Sequence, residues 1–377
     1  MRRMNVPLSN PDITCKEIEA VLDVLSTPNL STGPKVQEFE RAFSRYVGSK
    51  YAVAINSGTS GLHLCIKALG IQDGDEVLTT PFSFIASANC ILFERARPVF
   101  VDIRENTLNI DENKIEGKIT KRTKAILPVH VFGYPCDMAK INRIAKKYNL
   151  AIIEDACEAI GAEIGGKRVG TFSDCAVFAF YPNKQMTTGE GGMMVTDRND
   201  IAALAKSMRN QGRDEGMGWL AHNRLGYNYR LSDINCALGI AQLRRIKRIL
   251  KERAKVASLY KKNLEGLREI IIPPDNIKGI SRSWFVYVIR LREFFTEEKR
   301  NWVVKQLKAK GIGCNIYFPP IHLQPFYKKQ FGYKRGDFPV AEGISERTIA
   351  LPFYNKLSAK EIKYIVDVLK SAIKEVN

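Results

Sequence analysis

The chain has 377 residues, 45% of them hydrophobic, and carries 58 Lys and Arg against 40 Asp and Glu, a formal net charge of +18. That is more chain than one core usually supports, so a globular protein with a large and a smaller domain is expected; no apolar run approaches the ~20 residues needed to span a bilayer and Met1–Pro7 lacks the apolar stretch of a signal peptide, which points to the cytoplasm. Eight scattered cysteines without a CxxC pair, and only four histidines, argue against a disulfide framework or a multi-histidine metal site and for buried reduced thiols.

In chain order, a helix is expected over Cys15–Leu25, packed with the smaller domain. Short apolar strands then alternate with helical segments: Tyr51–Ile55, Glu76–Thr79, Pro98–Val101, Ala125–Pro128, Ala151–Glu154, Cys175–Phe180 and Gly192–Thr196. They are continuous apolar runs, as strands covered by helices on both faces are, so the pattern predicts an α/β protein with a mostly parallel central sheet. One long helix is expected from Asp233 to Leu267, with a domain break near 250. Beyond it Ser283–Ile289 reads as a strand, and 297–309 and 359–375 as amphipathic helices. The charge would attract a polyanion, but it sits largely in runs such as Leu243–Arg253 that read as solvated helix faces, and no zinc finger, RNP motif or helix-turn-helix accompanies it.

Three segments carry chemistry. Strand 51–55 runs into Asn56-Ser57-Gly58-Thr59-Ser60-Gly61, a turn opening a helix; free N–H groups and the positive dipole end there suit a phosphate, with the Thr59 and Ser60 hydroxyls as further donors. The same residues would serve as an ordinary helix cap. Ile152–Glu158 puts two carboxylates, Glu154 and Asp155, at the carboxyl end of an apolar strand, where open α/β sheets bind ligands; a carboxylate buried there needs a cation, whether an arginine or a protonated pyridine nitrogen. Lys184 follows strand 175–180 and precedes Gly189-Glu190-Gly191-Gly192, which lead into the next strand and hold the lysine inside the protein.

In order and spacing these segments resemble the DegT/DnrJ/StrS sugar aminotransferases. The likeness extends to Gly33-Pro34, Pro81–Asn89, Pro128–Gly133, Gly226–Ser232 and Phe318–Leu323, most of residues 30 to 325. It implies the pyridoxal 5'-phosphate (PLP) transferase fold type I, aspartate aminotransferase-like, with a large PLP-binding domain over 1–250 and a smaller α+β domain over 251–377. It also implies a homodimer with shared active sites. Lys184 would carry the cofactor and move the proton between substrate carbon and cofactor. Asp155 would pair with the pyridine nitrogen, and Phe84 would stack on the ring. Ser57, Gly58, Thr59 and Ser60 would hold the phosphate, joined by Asn228 from the partner subunit. His322 matches a position near the sugar; Tyr317 and Arg230 are weaker matches, for which a structural role is equally open.

The chain departs from the family at two positions. Ala179 stands where many relatives have a phosphate-binding serine, so another donor compensates or the phosphate is held more loosely. Glu158 stands where many have Gln or His beside the cofactor 3'-oxygen, a feature of perosamine synthase-like members that aminate a GDP-linked 4-keto-6-deoxymannose. The implied reaction passes the amino group of L-glutamate to the keto carbon, C4, of a nucleotide-linked 6-deoxy sugar, for glycan or polysaccharide synthesis. Some relatives are sugar dehydratases, which replace the lysine by histidine; Lys184 argues against that activity, and the Asp155 and Lys184 pair against a basic, nucleic-acid-binding regulator.

Overall fold

The apolar runs assemble into one seven-stranded sheet. The computed structural model describes residues 4–218, 220–275 and 277–376, and its first part contains β1 (Tyr51–Ile55), β2 (Glu76–Thr79), β3 (Arg97–Phe100), β4 (Thr123–Ile126), β5 (Ala151–Asp155), the hairpin β6 (Glu163–Ile164) and β7 (Lys167–Arg168), β8 (Cys175–Ala179) and β9 (Gly192–Thr196). The sheet order is β1-β9-β8-β5-β4-β2-β3. The β3/β2, β2/β4, β4/β5 and β5/β8 pairs are parallel, and β9 alone runs against its neighbours β8 and β1. The expected boundaries shift by a residue or two: Arg97 enters β3 opposite Glu76, and β4 ends at Ile126, two residues short of Pro128.

Helices α1 (Cys15–Leu25), α2 (Pro34–Val47), α3 (Gly58–Ala68), α4 (Ala86–Leu92), α5 (Met138–Tyr148), α6 (Asn199–Arg209) and α7 (Asp233–Leu264) accompany the sheet. Phe39 and Phe43 of α2 and Ile240, Leu243, Ile246 and Ile249 of α7 share one core with Phe178 and Phe180. Leu62, Leu64 and Ile66 of α3 join another with Val53, Val77 and Ile153. The second half of α7, with Val256, Tyr260 and Leu264, belongs to a third core. That core closes around β10 (Ile270–Ile271), β12 (Tyr287–Leu291) and β13 (Thr348–Leu351), flanked by α8 (Glu297–Ala309) and α11 (Ala359–Lys374). Between them lie β11 (Ile280–Ser281), which pairs with β6, and α9 (Pro325–Phe331) and α10 (Pro339–Ser345). Among the described residues no helix is long and apolar enough to cross a membrane.

Two expectations are corrected. Helix α1 lies on the first half of α7, not on the C-terminal core: Glu17, fully buried, receives hydrogen bonds from Gln242 (3.0 Å) and Arg245 (2.7 Å). The segment before it makes the expected link instead, because Val6 bridges Ile312 and the Leu8 carbonyl accepts from Phe353 N–H. The strand expected at 283–289 begins only at Tyr287. Residues 282–285 form a strap that crosses to the large sheet, where Ser283 N–H donates to the Gly133 carbonyl (2.9 Å) and its hydroxyl to that of Ile160 (2.6 Å). Arg253, buried on α7, fixes the strap from the other side through the carbonyls of Trp284 (2.7 Å) and Phe285 (2.6 Å). An apolar run fits both uses, so its composition could not separate them.

Gly133 sits at φ +77° where the strap docks, and a Cβ there would be driven into the Ser283 carbonyl. Gly133→Ala is therefore expected to lower the unfolding free energy by about 2 kcal/mol or more, through left-handed strain plus overpacking, as a lower urea midpoint.

Candidate active site

The sheet delivers its functional side chains at the carboxyl ends of its parallel strands. β1 ends at Ile55, and Ser57 caps α3 by accepting Ser60 N–H (3.0 Å), the two hydroxyls lying 2.9 Å apart. Gly58 and Thr59 then occupy the first turn, whose N–H groups have no intrahelical acceptor. The helix end is closely walled. A Cβ on Gly58 would come within 2.9 Å of Ala179 Cβ and Cys157 Sγ, and one on Gly192 within 2.9 Å of the Phe178 and Ser57 carbonyls. These contacts place Ala179, the departure from the serine of relatives, at the cradle itself.

At the end of β5 the strand alternation turns Glu154 and Asp155 to opposite faces, with opposite fates. Glu154 is sealed in a latch: it accepts from Gly170 and Phe172 N–H (2.9 Å each) and the Ser173 hydroxyl (2.7 Å), and meets His130 at 3.0 Å. Burial raises its pKa, but the His130 and backbone hydrogen bonds outweigh that and hold it below its ordinary range. Asp155, only 4% exposed, accepts from the Ser87 hydroxyl (2.7 Å) and Cys157 N–H (3.1 Å), both neutral. Among the described residues no Lys or Arg pairs with it, so the arginine partner left open by the sequence is not there.

Lys184 follows β8 in a turn closed by its own N–H to the Tyr181 carbonyl (2.9 Å). Its side chain is 13% exposed, with Nζ 3.7 Å from Glu158 Oε1 and 4.1 Å from the centroid of the Phe285 ring on the strap. Glu158 accepts Phe132 N–H at 2.8 Å through its other oxygen. Burial pushes its carboxyl up, against the pull of Lys184. Tyr317 joins this group: its ring stacks on Phe132 and Phe318, and burial, then the Glu158 charge, push its hydroxyl up. Phe84, whose carbonyl accepts Ser87 N–H (3.2 Å), is 61% exposed, an aromatic side chain left open to solvent.

The remaining candidates lie apart. Asn228 is exposed, and its carbonyl accepts from the Asn56 side chain (3.3 Å). Arg230 donates to the Asn210 (3.1 Å) and Gln211 (3.0 Å) side chains. His322 is enclosed rather than open to solvent. It is fully buried, with Nε2 2.9 Å from Glu342 and its ring edge-on to Phe338, because the turn that carries it is pinned by Ile321 N–H to the Pro81 carbonyl. Ser87 and Phe285 are the members that sequence reasoning missed. Ser87 lay inside a matched segment but was indistinguishable from core, and Phe285 inside an apolar run about a hundred residues from Lys184.

A half-buried lysine just past β8 and a buried aspartate with neutral donors at the end of the neighbouring β5 fit the class of aminotransferases of the expected fold type I. Within it the chain belongs to the DegT/DnrJ/EryC1/StrS aminotransferase family, whose profile matches residues 11–370. It is 42% identical to an uncharacterized protein of Methanocaldococcus jannaschii over 100% of this chain and 99% of that one. It is 38% identical to the GDP-perosamine synthase of Caulobacter vibrioides over 98% of each. A Streptococcus pneumoniae structure described as a sugar aminotransferase in its PLP form superposes with a TM-score of 0.94 at 30% identity, covering 99% of this chain and 100% of that one.

The raised Glu158 carboxyl has a pH signature. The native state holds its proton more tightly than the unfolded chain, so its stability contribution is complete below the ordinary value of 4.5 and is lost as pH rises through the folded value. Glu158→Gln removes the titration, so urea unfolding of the apoprotein should show the variant gaining on wild type as pH climbs from about 4 to about 7; a difference flat with pH would mean that Lys184 cancels the effect of burial.

Proposed function

We propose that this aminotransferase uses PLP to transfer the amino group of L-glutamate to C4 of a nucleotide-linked 4-keto-6-deoxy sugar, in the cytoplasm and as a homodimer with shared sites. The observation that carries the cofactor is Asp155: a carboxylate enclosed with neutral donors alone calls for a cationic ligand nitrogen. PLP supplies that nitrogen, a carbonyl that takes up amines, and a ring that draws electrons from the substrate carbon.

Asp155 would keep the pyridine nitrogen protonated, itself oriented by Ser87. Ser57, Gly58, Thr59 and Ser60 would hold the phosphate at the α3 end, with Asn228 arriving from the partner, and Phe84 would cover the ring. Glu158 would stand beside the ring oxygen. Lys184, once released, would carry the proton between substrate carbon and cofactor, shielded from water by Phe285. Tyr317 would border the sugar, with Arg230 the more distant candidate. The likeness to a GDP-perosamine synthase and the presence of Glu158 favour a GDP-linked sugar of the 6-deoxymannose series. Eight unpaired cysteines suit a reducing compartment.

The test is the absorption spectrum with added PLP, before and after excess L-glutamate, for wild type and Lys184→Ala. The wild type should show a visible band that glutamate converts to a pyridoxamine band, with release of 2-oxoglutarate, and the variant should not form the band normally. Asp155→Ala should lower turnover by about a hundredfold or more, the scale of losing a preorganised charge partner. Failure of the wild type to bind PLP would end the proposal, whereas binding without a response to glutamate would move the error to the donor.

A further inference from the structure

Residues 227–229 run extended against 209–211: Tyr229 N–H donates to the Arg209 carbonyl (3.0 Å) and Gln211 N–H to that of Tyr227 (2.9 Å). Tyr227 and Tyr229 fall on one side, their rings stacked at 4.9 Å and 10°, while Asn228 between them is exposed. Both rings rest on His63, buried on α3: its centroid lies 4.9 Å from that of Tyr227, and its Nδ1 lies 3.1 Å from the Tyr229 hydroxyl. His63 Nε2 lies 2.8 Å from Glu94, which also takes Lys67 Nζ (2.7 Å) and the Tyr227 hydroxyl (3.3 Å). Burial holds His63 below its ordinary range. The ring is then neutral, donating through Nε2 to Glu94 and accepting the Tyr229 hydroxyl at Nδ1. Asn56, at the mouth of the α3 cradle, completes the frame by donating its N–H to the Tyr229 carbonyl (2.9 Å) and its amide to the Asn228 carbonyl (3.3 Å).

Everything around Asn228 is therefore fixed except its side chain. We infer that His63 and the Tyr227/Tyr229 stack are positioning residues for Asn228, aiming it out of its own subunit toward the cofactor phosphate of a second copy. The inference rests on the reading above that Asn228 completes the partner's site. Its consequence is directional: a defect in the clamp of one subunit weakens cofactor binding in the other. A helix that begins at one phosphate cradle also sets the residue that closes the next.

Heterodimers from two differently tagged chains test this, one chain carrying Lys184 and the other Lys184→Ala, with PLP affinity read from the visible band of the Lys184-bearing subunit. Tyr229→Phe keeps the stack and removes the bond to His63. On the Lys184→Ala chain it should weaken PLP binding about fivefold, the scale of one neutral hydrogen bond; on the Lys184-bearing chain it should leave affinity unchanged. His63→Leu, which removes the whole support, should show the same polarity with a larger loss. A loss with the substitution on the Lys184-bearing chain, on both or on neither overturns the inference, since a merely structural role acts within its own subunit. Asn228→Ala in the same two placements tests the reading beneath: a loss within its own subunit would remove the partner role itself, independently of the clamp.

Discussion

The constraint on which the site depends is the enclosure of Asp155 without a cation. A buried carboxylate is tolerable only when its charge is answered, and this chain answers the neighbouring Glu154 in full while leaving Asp155 with a hydroxyl and an amide. The two are adjacent in sequence, and the pleat of β5 separates them, one into a structural latch and one toward the crevice. The fold thus sets a buried carboxylate at the strand ends where α3 presents free N–H groups.

Covering Lys184 requires the C-terminal part of the chain. Lys184 would be solvated if only the sheet surrounded it; the strap brings Phe285 over its Nζ and Ser283 against Gln185 (2.9 Å). Two buried arginines hold the strap. Burial lowers Arg253 to about 9 and Arg282 to about 10, so both keep their charge at neutral pH and spend it on backbone carbonyls and on the Phe353 and Trp284 rings. The contacts that dock the strap are therefore the ones that cover Lys184.

How much of this was legible follows from the range of each interaction. The strands were readable because burial on both faces makes them apolar without interruption, and Lys184, Asp155 and the α3 cap because each lies just past such a strand. The basic run 243–253 was readable only in part: Arg244 and Arg248 are solvated, each beside a glutamate, but Arg245 is drawn in by Asp12 and Glu17, and Arg253 by the strap. Nothing within the run separates these arginines, since the partners that decide their burial lie up to 233 residues away. The burial of His322 was hidden for the same reason, because Glu342 and Pro81 determine where its turn points.

The net charge of +18 lies mostly away from the chemistry. Within the site Lys184 faces Glu158, whose burial resists ionisation. The excess lies outside, on solvated side chains such as Arg95 (79% exposed) and Arg244 (74%). Charge of that kind acts at long range: it raises the encounter rate of an anionic substrate and is screened within about 8 Å at physiological salt. It therefore cannot choose between one sugar and another. A choice of that kind needs groups at contact distance, so long-range attraction of a ligand and its recognition are separate tasks.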